Sequence, residues 1–323
     1  MSTAAPALDW GRRYLMCPPR HFGVLYEINP WMSREVTVDV DRAAEQWDTL
    51  VATLRAAGAA VEVMDAHPEV PDLVFTANAG LVDATPVPRS ATGSPEDSSA
   101  ESSSGPSESV FAGRFVPSHF RHPERQPETE VDAAWFAERG WRVDRLPAEV
   151  DHEGAGDALP FTPEGGQTVL LSGYSFRSDA GAATELSSLL GCPVRPIQLV
   201  DPRLYHLDLT FCPLDGRRAM IAPLGWDSYG RKVVEALVPE PLVLSEDETL
   251  AFCANSVVVD RTVVMATTPP RVGRLLEGWG FDVAECRVDE FLKAGGSCRC
   301  LTLALDTVLS ERVPGERPLR PVP

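Results

Sequence analysis

Apolar residues at positions 43, 44, 47, 50, 51 and 54 recur at the three- and four-residue spacing of one helix face, which predicts a helix over Asp41–Ala57. Gly58 follows as a helix stop, and then a short strand-like run, Ala60–Met64. The same order of helix, glycine and strand returns three times. It appears as Glu130–Arg139, Gly140 and Trp141–Leu146, as Ala182–Leu190, Gly191 and Pro193–Val200, and as Arg271–Trp279, Gly280 and Phe281–Cys286. A fifth copy lacks the glycine, with Gly230–Val238 leading towards Leu242–Leu244.

The markers at 58, 140, 191, 238 and 280 are spaced by roughly fifty residues once one long insertion is set aside. That insertion, at about 84–109, contains a stretch from Ser90 to Ser109 with nine serines in twenty residues and almost nothing apolar. Burial there cannot offset the entropy of ordering, so a disordered loop is expected between the strand-like runs Val74–Val82 and Val110–Val116. The proline-rich end, about 313–323, reads as a loose tail. The whole chain, 1–323, is then one α/β domain of five repeated units.

After each marker comes a polar residue in apolar, strand-like surroundings: Asn78, Glu153, His206, Asn255 and Cys300. A linear solenoid would spread these groups along its length, whereas a closed ring of units would gather them at its axis. One polar group per unit at similar phase favours the ring. Asn255 taken alone reads equally well as a strand-edge residue.

Composition narrows the function. With 44% hydrophobic residues in 323 the chain can build a large core, and a net charge of −18 disfavours nucleic acid and anionic membranes as partners. No apolar run has the length of a membrane span, and the start Met1–Trp10 lacks the pattern of a secretory signal, so a cytoplasmic protein is expected. Seven cysteines, most in apolar contexts, indicate reduced, intracellular usage. Cys298, Cys300, Cys212 and His206 match no closed zinc spacing, so no metal is assigned.

The ring would bring together a thiol, an imidazole, carboxylates and amides. In His206-Leu-Asp208, strand alternation would turn His206 and Asp208 to one face. A cysteine beside a histidine suits nucleophilic catalysis with proton shuttling. Carboxylates in the same pocket would raise the thiol's pKa unless the substrate is a cation, and a guanidinium is such an electrophile.

Glu153-Gly-Ala-Gly-Asp157, His206-Leu-Asp208 and Gly295-Gly-Ser-Cys-Arg-Cys-Leu-Thr302 resemble, in order, motifs of the guanidino-group-modifying enzymes. That family includes arginine deiminases, dimethylarginine hydrolases, glycine amidinotransferases and arginine dihydrolases. The resemblance implies a five-bladed α/β propeller (pentein) of ββαβ units, with Cys300 as nucleophile, His206 as acid and base, and Glu153 as the carboxylate orienting the imidazole. It also implies that Asp208 and Asp157 contact the substrate, and that Arg177, with Arg121 as a second clamp, grips its α-carboxylate. No cofactor is implied, and a homo-oligomer is compatible with the family. Arg299 stands where the family usually has histidine. Asn78 stands where deiminases have aspartate; with Met16-Cys-Pro-Pro19 and Ile28-Asn-Pro-Trp-Met32 it resembles the arginine dihydrolase branch, in which Asn29 and Asn78 would line the site. The expected reaction is arginine to ornithine, carbon dioxide and two ammonia. The alternatives are a single hydrolysis by a deiminase or dimethylarginine hydrolase, amidino transfer to an amine, and, outside enzymes, a silent arginine-binding ring.

Overall fold

The helix predicted over Asp41–Ala57 runs over Val40–Ala56, capped by Asp39, whose carboxylate accepts the Arg42 amide, and it buries Ala43, Trp47, Leu50, Val51 and Leu54. The computed structural model describes residues 7–88 and 110–309. The helices of the other four repeats cover Glu128–Glu138, Ala182–Leu190, Ser228–Leu237 and Pro270–Gly278. Gly58, Gly140, Gly191 and Gly280 all have positive φ, between 69° and 103°, so each predicted stop is a left-handed residue for which glycine carries no steric penalty. The fifth helix needs none, because Val238 leaves it in an extended conformation.

Each helix connects two strands of a three-stranded sheet. In one unit Phe211–Pro213 pairs antiparallel with Arg218–Ile221, the Ser228–Leu237 helix crosses over, and Glu240–Val243 returns parallel to Arg218–Ile221. Val257–Val259, Thr262–Met265 and Asp282–Glu285 repeat this order, as do Ala158–Phe161, Val169–Tyr174 and Val194–Gln198. Gly80–Asp83, Arg114–Pro117 and Arg142–Val143 form another copy. The fifth sheet joins the two ends of the described chain: Leu303–Ala304 lies antiparallel to Arg13–Met16, which is parallel to Ala60–Val63. Five ββαβ units thus make the α/β propeller, closed by a strand from late in the chain.

Three details differ from expectation. Val74–Val82 is not one strand: Pro71–Val74 and Thr76–Asn78 are 3-10 turns, and the strand starts at Gly80. His206-Leu-Asp208 is likewise not a strand, since His206 is extended but Leu207–Leu209 is a 3-10 turn. The insertion also begins later than 84. Ala84 donates to the Thr307 carbonyl at 2.7 Å, and Val87–Pro88 pairs with Val110–Phe111. The serine-rich residues 90–109 and the tail 313–323 lie outside the described residues.

Helices pack outside the ring on the sheet flanks. Phe136 of the Glu128–Glu138 helix stacks on Phe115 with centroids 3.7 Å apart, and both are fully buried. Phe136→Ala is expected to cost about 3–5 kcal/mol by leaving a cavity, as a urea titration would show. A loss below 1 kcal/mol would mean that this helix does not hold its unit to the ring.

Candidate active site

The five polar groups sit on short turns that precede the first strand of each sheet. Asn78 ends the Thr76–Asn78 turn, Glu153 precedes the Gly154–Asp157 turn, and His206 precedes Leu207–Leu209. Asn255 and Cys300 occupy equivalent places before Val257 and Leu303. Such turns point side chains inward at the point where the strands diverge, and all five residues are at least 97% buried.

Hydrogen bonds link them into one hub. Asn78 Nδ2 donates to the Glu153 carbonyl at 3.3 Å. Glu153 Oε2 lies 2.8 Å from His206 Nε2 and 3.0 Å from Arg177 Nη1. Asn255 Nδ2 donates to Cys300 Sγ at 3.1 Å and to the Asp208 carbonyl at 3.3 Å, while Asn255 Oδ1 accepts the Cys300 amide at 3.2 Å. Cys300 Sγ in turn lies 3.5 Å from Asp208 Oδ2. Asn255 therefore holds the thiol at both ends of its residue, a contact that the five-unit phase pattern could have assigned from sequence.

Close approach at the hub explains the glycine-rich motifs. A Cβ on Gly156 would stand 2.3 Å from Asn78 Nδ2, and Gly295, at φ +82°, would place one 2.9 Å from the Tyr205 hydroxyl.

Burial alone would raise the Glu153 carboxyl, but Arg177 and the bond to His206 overrule it and hold Glu153 well below the usual carboxylate range. It is an anion, so His206 Nε2–H donates to it and Nδ1 keeps its lone pair. Burial lowers the imidazole to about 4 despite that bond, which leaves it neutral. Burial raises Asp208 to about 7, with Arg299 opposing, and burial with the Asp208 charge pushes the Cys300 thiol well up. Two buried carboxylate oxygens, Glu153 Oε1 and Asp208 Oδ1, have no partner among the described residues.

A cavity reaches this hub at Cys300 and Asn78, lined also by Asn29, Asp72, Arg125 and Arg177 among others. Asn29 is at the wall, though both ends of its amide are engaged, Nδ2 with the Ala294 carbonyl and Oδ1 with the Trp31 amide. Arg177 faces the cavity with its cation on Glu153 and over the Tyr205 ring.

Two expected substrate contacts lie elsewhere. Arg121 is turned away and bonded to Asp151, the Ser175 carbonyl and Asp179. Asp157 lies beneath the site, where its oxygens accept the Leu207 amide at 3.0 Å and the Ser178 hydroxyl at 2.7 Å, fixing the turn that carries His206 and Asp208. Beside Arg177, the arginine that faces the cavity in place of Arg121 is Arg125, one turn further along. It makes a bidentate pair with Glu128 and donates to Asn78 Oδ1 at 3.0 Å. The i,i+3 pair Arg125/Glu128 at the start of a helix was the available signal. Asp72, which accepts the Tyr26 hydroxyl at 2.9 Å, carried none.

A five-bladed ββαβ propeller with a thiol, an imidazole and carboxylates at its axis defines the class of guanidino-group-modifying enzymes. No family model matches the chain. It is 37% identical over 90% of its length to the bifunctional arginine dihydrolase/ornithine cyclodeaminase ArgZ of Synechocystis sp., of which it spans only 37%. It is 33% identical to the N(G),N(G)-dimethylarginine dimethylaminohydrolase of Mycobacterium tuberculosis, with 91% of this chain and 86% of that protein covered. The crystal structure of the N-terminal domain of ArgZ, bound to substrate, matches with a TM-score of 0.79 at 36% identity, over 92% of this chain and 99% of that domain. The chain belongs to the guanidino-group-modifying family.

Because the thiol is protonated and the imidazole neutral at rest, alkylation of Cys300 by iodoacetamide is expected to be slow at pH 7 and to rise about tenfold per pH unit. Added guanidinium ion, seated between the carboxylates, is expected to accelerate it. Peptide mapping of the alkylated protein checks both, and a rate that is already flat from pH 6 would contradict a protonated resting thiol.

Proposed function

We propose that this chain is an arginine dihydrolase, converting L-arginine and two waters to L-ornithine, carbon dioxide and two ammonia. The observation that carries this reading is the pair of unpartnered buried acceptors, Glu153 Oε1 and Asp208 Oδ1, the second on the carboxylate that contacts the Cys300 thiol. A guanidinium, planar and rich in N–H donors, satisfies both oxygens and neutralises their charge. Its positive charge also lowers the thiol's pKa once bound, so the nucleophile forms only beside its electrophile. Arg125 and Arg177 supply cations for the substrate's carboxylate, and Asp72 an acid for its ammonium.

In the first hydrolysis His206 Nδ1 takes the proton of the Cys300 thiol, Sγ bonds to the guanidinium carbon, and His206 passes that proton to the departing nitrogen, so that ammonia leaves and a thiouronium remains on Cys300. His206 then takes a proton from water, which attacks the thiouronium carbon and releases the thiolate and citrulline. In the second, the thiolate attacks the ureido carbon and ammonia leaves with a proton from His206, giving an S-carbamoyl cysteine; water cleaves its carbon–sulfur bond, and the carbamate released loses carbon dioxide to give ornithine.

Asn78 supports the second step. Arg125 can only donate, so the atom it touches must be Oδ1, and the amide orientation is fixed. Nδ2 carries two hydrogens, of which the Glu153 carbonyl takes one, leaving one N–H donor at the cavity wall. A donor there favours a neutral ureido oxygen over a guanidinium N–H. Asp would remove it and place a second anion beside Glu153.

One observation favours a second reading, a single hydrolysis of a methylated arginine: the chain covers 86% of the mycobacterial dimethylarginine hydrolase but only the dihydrolase portion of ArgZ. Product balance decides. Arginine is expected to give two ammonia and one ornithine per turnover, with no accumulating citrulline, whereas stoichiometric citrulline, or turnover of dimethylarginine alone, would overturn the dihydrolase assignment. In Asn78→Asp the second hydrolysis is expected to slow about 10–100-fold, so that citrulline accumulates. Cys300→Ser is expected to abolish both steps with the fold intact.

A further inference from the structure

A second cavity shares no lining residue with the first. Trp10, Leu159, Phe211, Pro213 and Val258 give it apolar walls, and Arg299 supplies the charge. Arg299 is only 6% exposed, and its Cζ lies 5.3 Å from the Trp10 ring centroid. Its Nε is buried without a hydrogen bond, and no carboxylate among the described residues forms an ion pair with the guanidinium.

The Arg299 charge acts on Asp208 without an ion-pair contact, and the Arg299 Nε remains a buried donor whose hydrogen bond an anion would complete. The remaining polar groups of the cavity cannot serve: the Ser256 hydroxyl donates to the Cys253 carbonyl at 2.8 Å, and Cys212 Sγ is directed at backbone carbonyls. The charged donor of the cavity is the fork of one guanidinium, which matches the two oxygens of a carboxylate. A phosphate dianion would need further donors, and the apolar walls suit a hydrocarbon tail.

We infer that Arg299 and this cavity bind a small monocarboxylate, with its oxygens on the guanidinium and its alkyl part against Trp10, Phe211 and Val258. The site adjoins the nucleophile. The Arg299 amide donates to the Asn255 carbonyl at 3.2 Å, and the neighbouring Cys300 amide to Asn255 Oδ1. The Arg299 charge favours the ionised form of Asp208, so an anion bound there weakens a field that acts on the reacting centre.

Sodium acetate is a sufficient probe, titrated by NMR against sodium chloride at equal ionic strength. Saturable binding is expected, with nuclear Overhauser contacts from the acetate methyl to the Trp10 ring protons, assigned through Trp10→Phe. Arg299→Gln is expected to weaken binding at least tenfold, and Val258→Phe, which fills the cavity from the opposite wall, to abolish it should Arg299→Gln not fold. The inference is overturned by absence of saturable binding, by contacts only to residues of the catalytic cavity, by unchanged affinity in Arg299→Gln, or by chloride displacing acetate as well as a second carboxylate does. None of these outcomes depends on whether arginine is the substrate.

Discussion

Glu153 is a carboxylate with no access to water, and the arrangement around it follows from the need to keep that charge compensated. One oxygen is shared between His206 and Arg177, so a single anion orients the imidazole and anchors the cation in the cavity wall. Its backbone is held as well: the Ser178 hydroxyl accepts the Glu153 amide at 3.0 Å and itself donates to Asp157, which accepts the Leu207 amide below His206. Three units of the ring are thereby tied through one residue. The other two arrive through Asn255 and Cys300, and the pairing of Leu303–Ala304 with Arg13–Met16 brings Cys300 to the axis.

This geometry keeps the reacting groups uncharged until they are needed. Burial disfavours both the thiolate and the imidazolium, while the ion pair of Glu153 with Arg177 persists. On the proposed function a cationic substrate would reverse the balance at the sulfur, because it would bring a counter-charge to the buried carboxylates. Selectivity and activation then have one physical origin. On the proposed two-step reading, the amide of Asn78, oriented by Arg125, adds what a ring of carboxylates could not: a donor suited to a neutral ureido oxygen.

The helices, their glycine stops and the five-fold period were legible because they are local: apolar spacing and left-handed glycines need no knowledge of tertiary contacts. The inward polar residues were legible as a phase pattern: Glu153 meets His206, and Asn255 meets Cys300 with Asp208 beside the thiol. Their local backbone was not. Phe75–Asn78 and His206–Asp208 are apolar enough to read as strands, yet the hub needs turns there, and tertiary bonds such as that from the Ala77 amide to the Cys300 carbonyl hold them. Arg121 and Arg125 lie four residues apart, and only the reversal at His122–Arg125, with the pull of Glu128, decides which faces the cavity. Asp157 carries the right chemistry for a substrate contact, but two donors from its own chain claim it. Such competition depends on which groups are buried together, and composition and spacing do not carry that information.

The central claim is that the chemistry passes through a covalent bond to Cys300. Acid-quenched protein, taken during turnover of L-arginine labelled with ¹³C at the guanidino carbon and digested for mass spectrometry, should carry the label on the peptide containing Cys300 and lose it as substrate is exhausted. Label on another cysteine, or product formed while Cys300 stays unlabelled at every quench time, would contradict it.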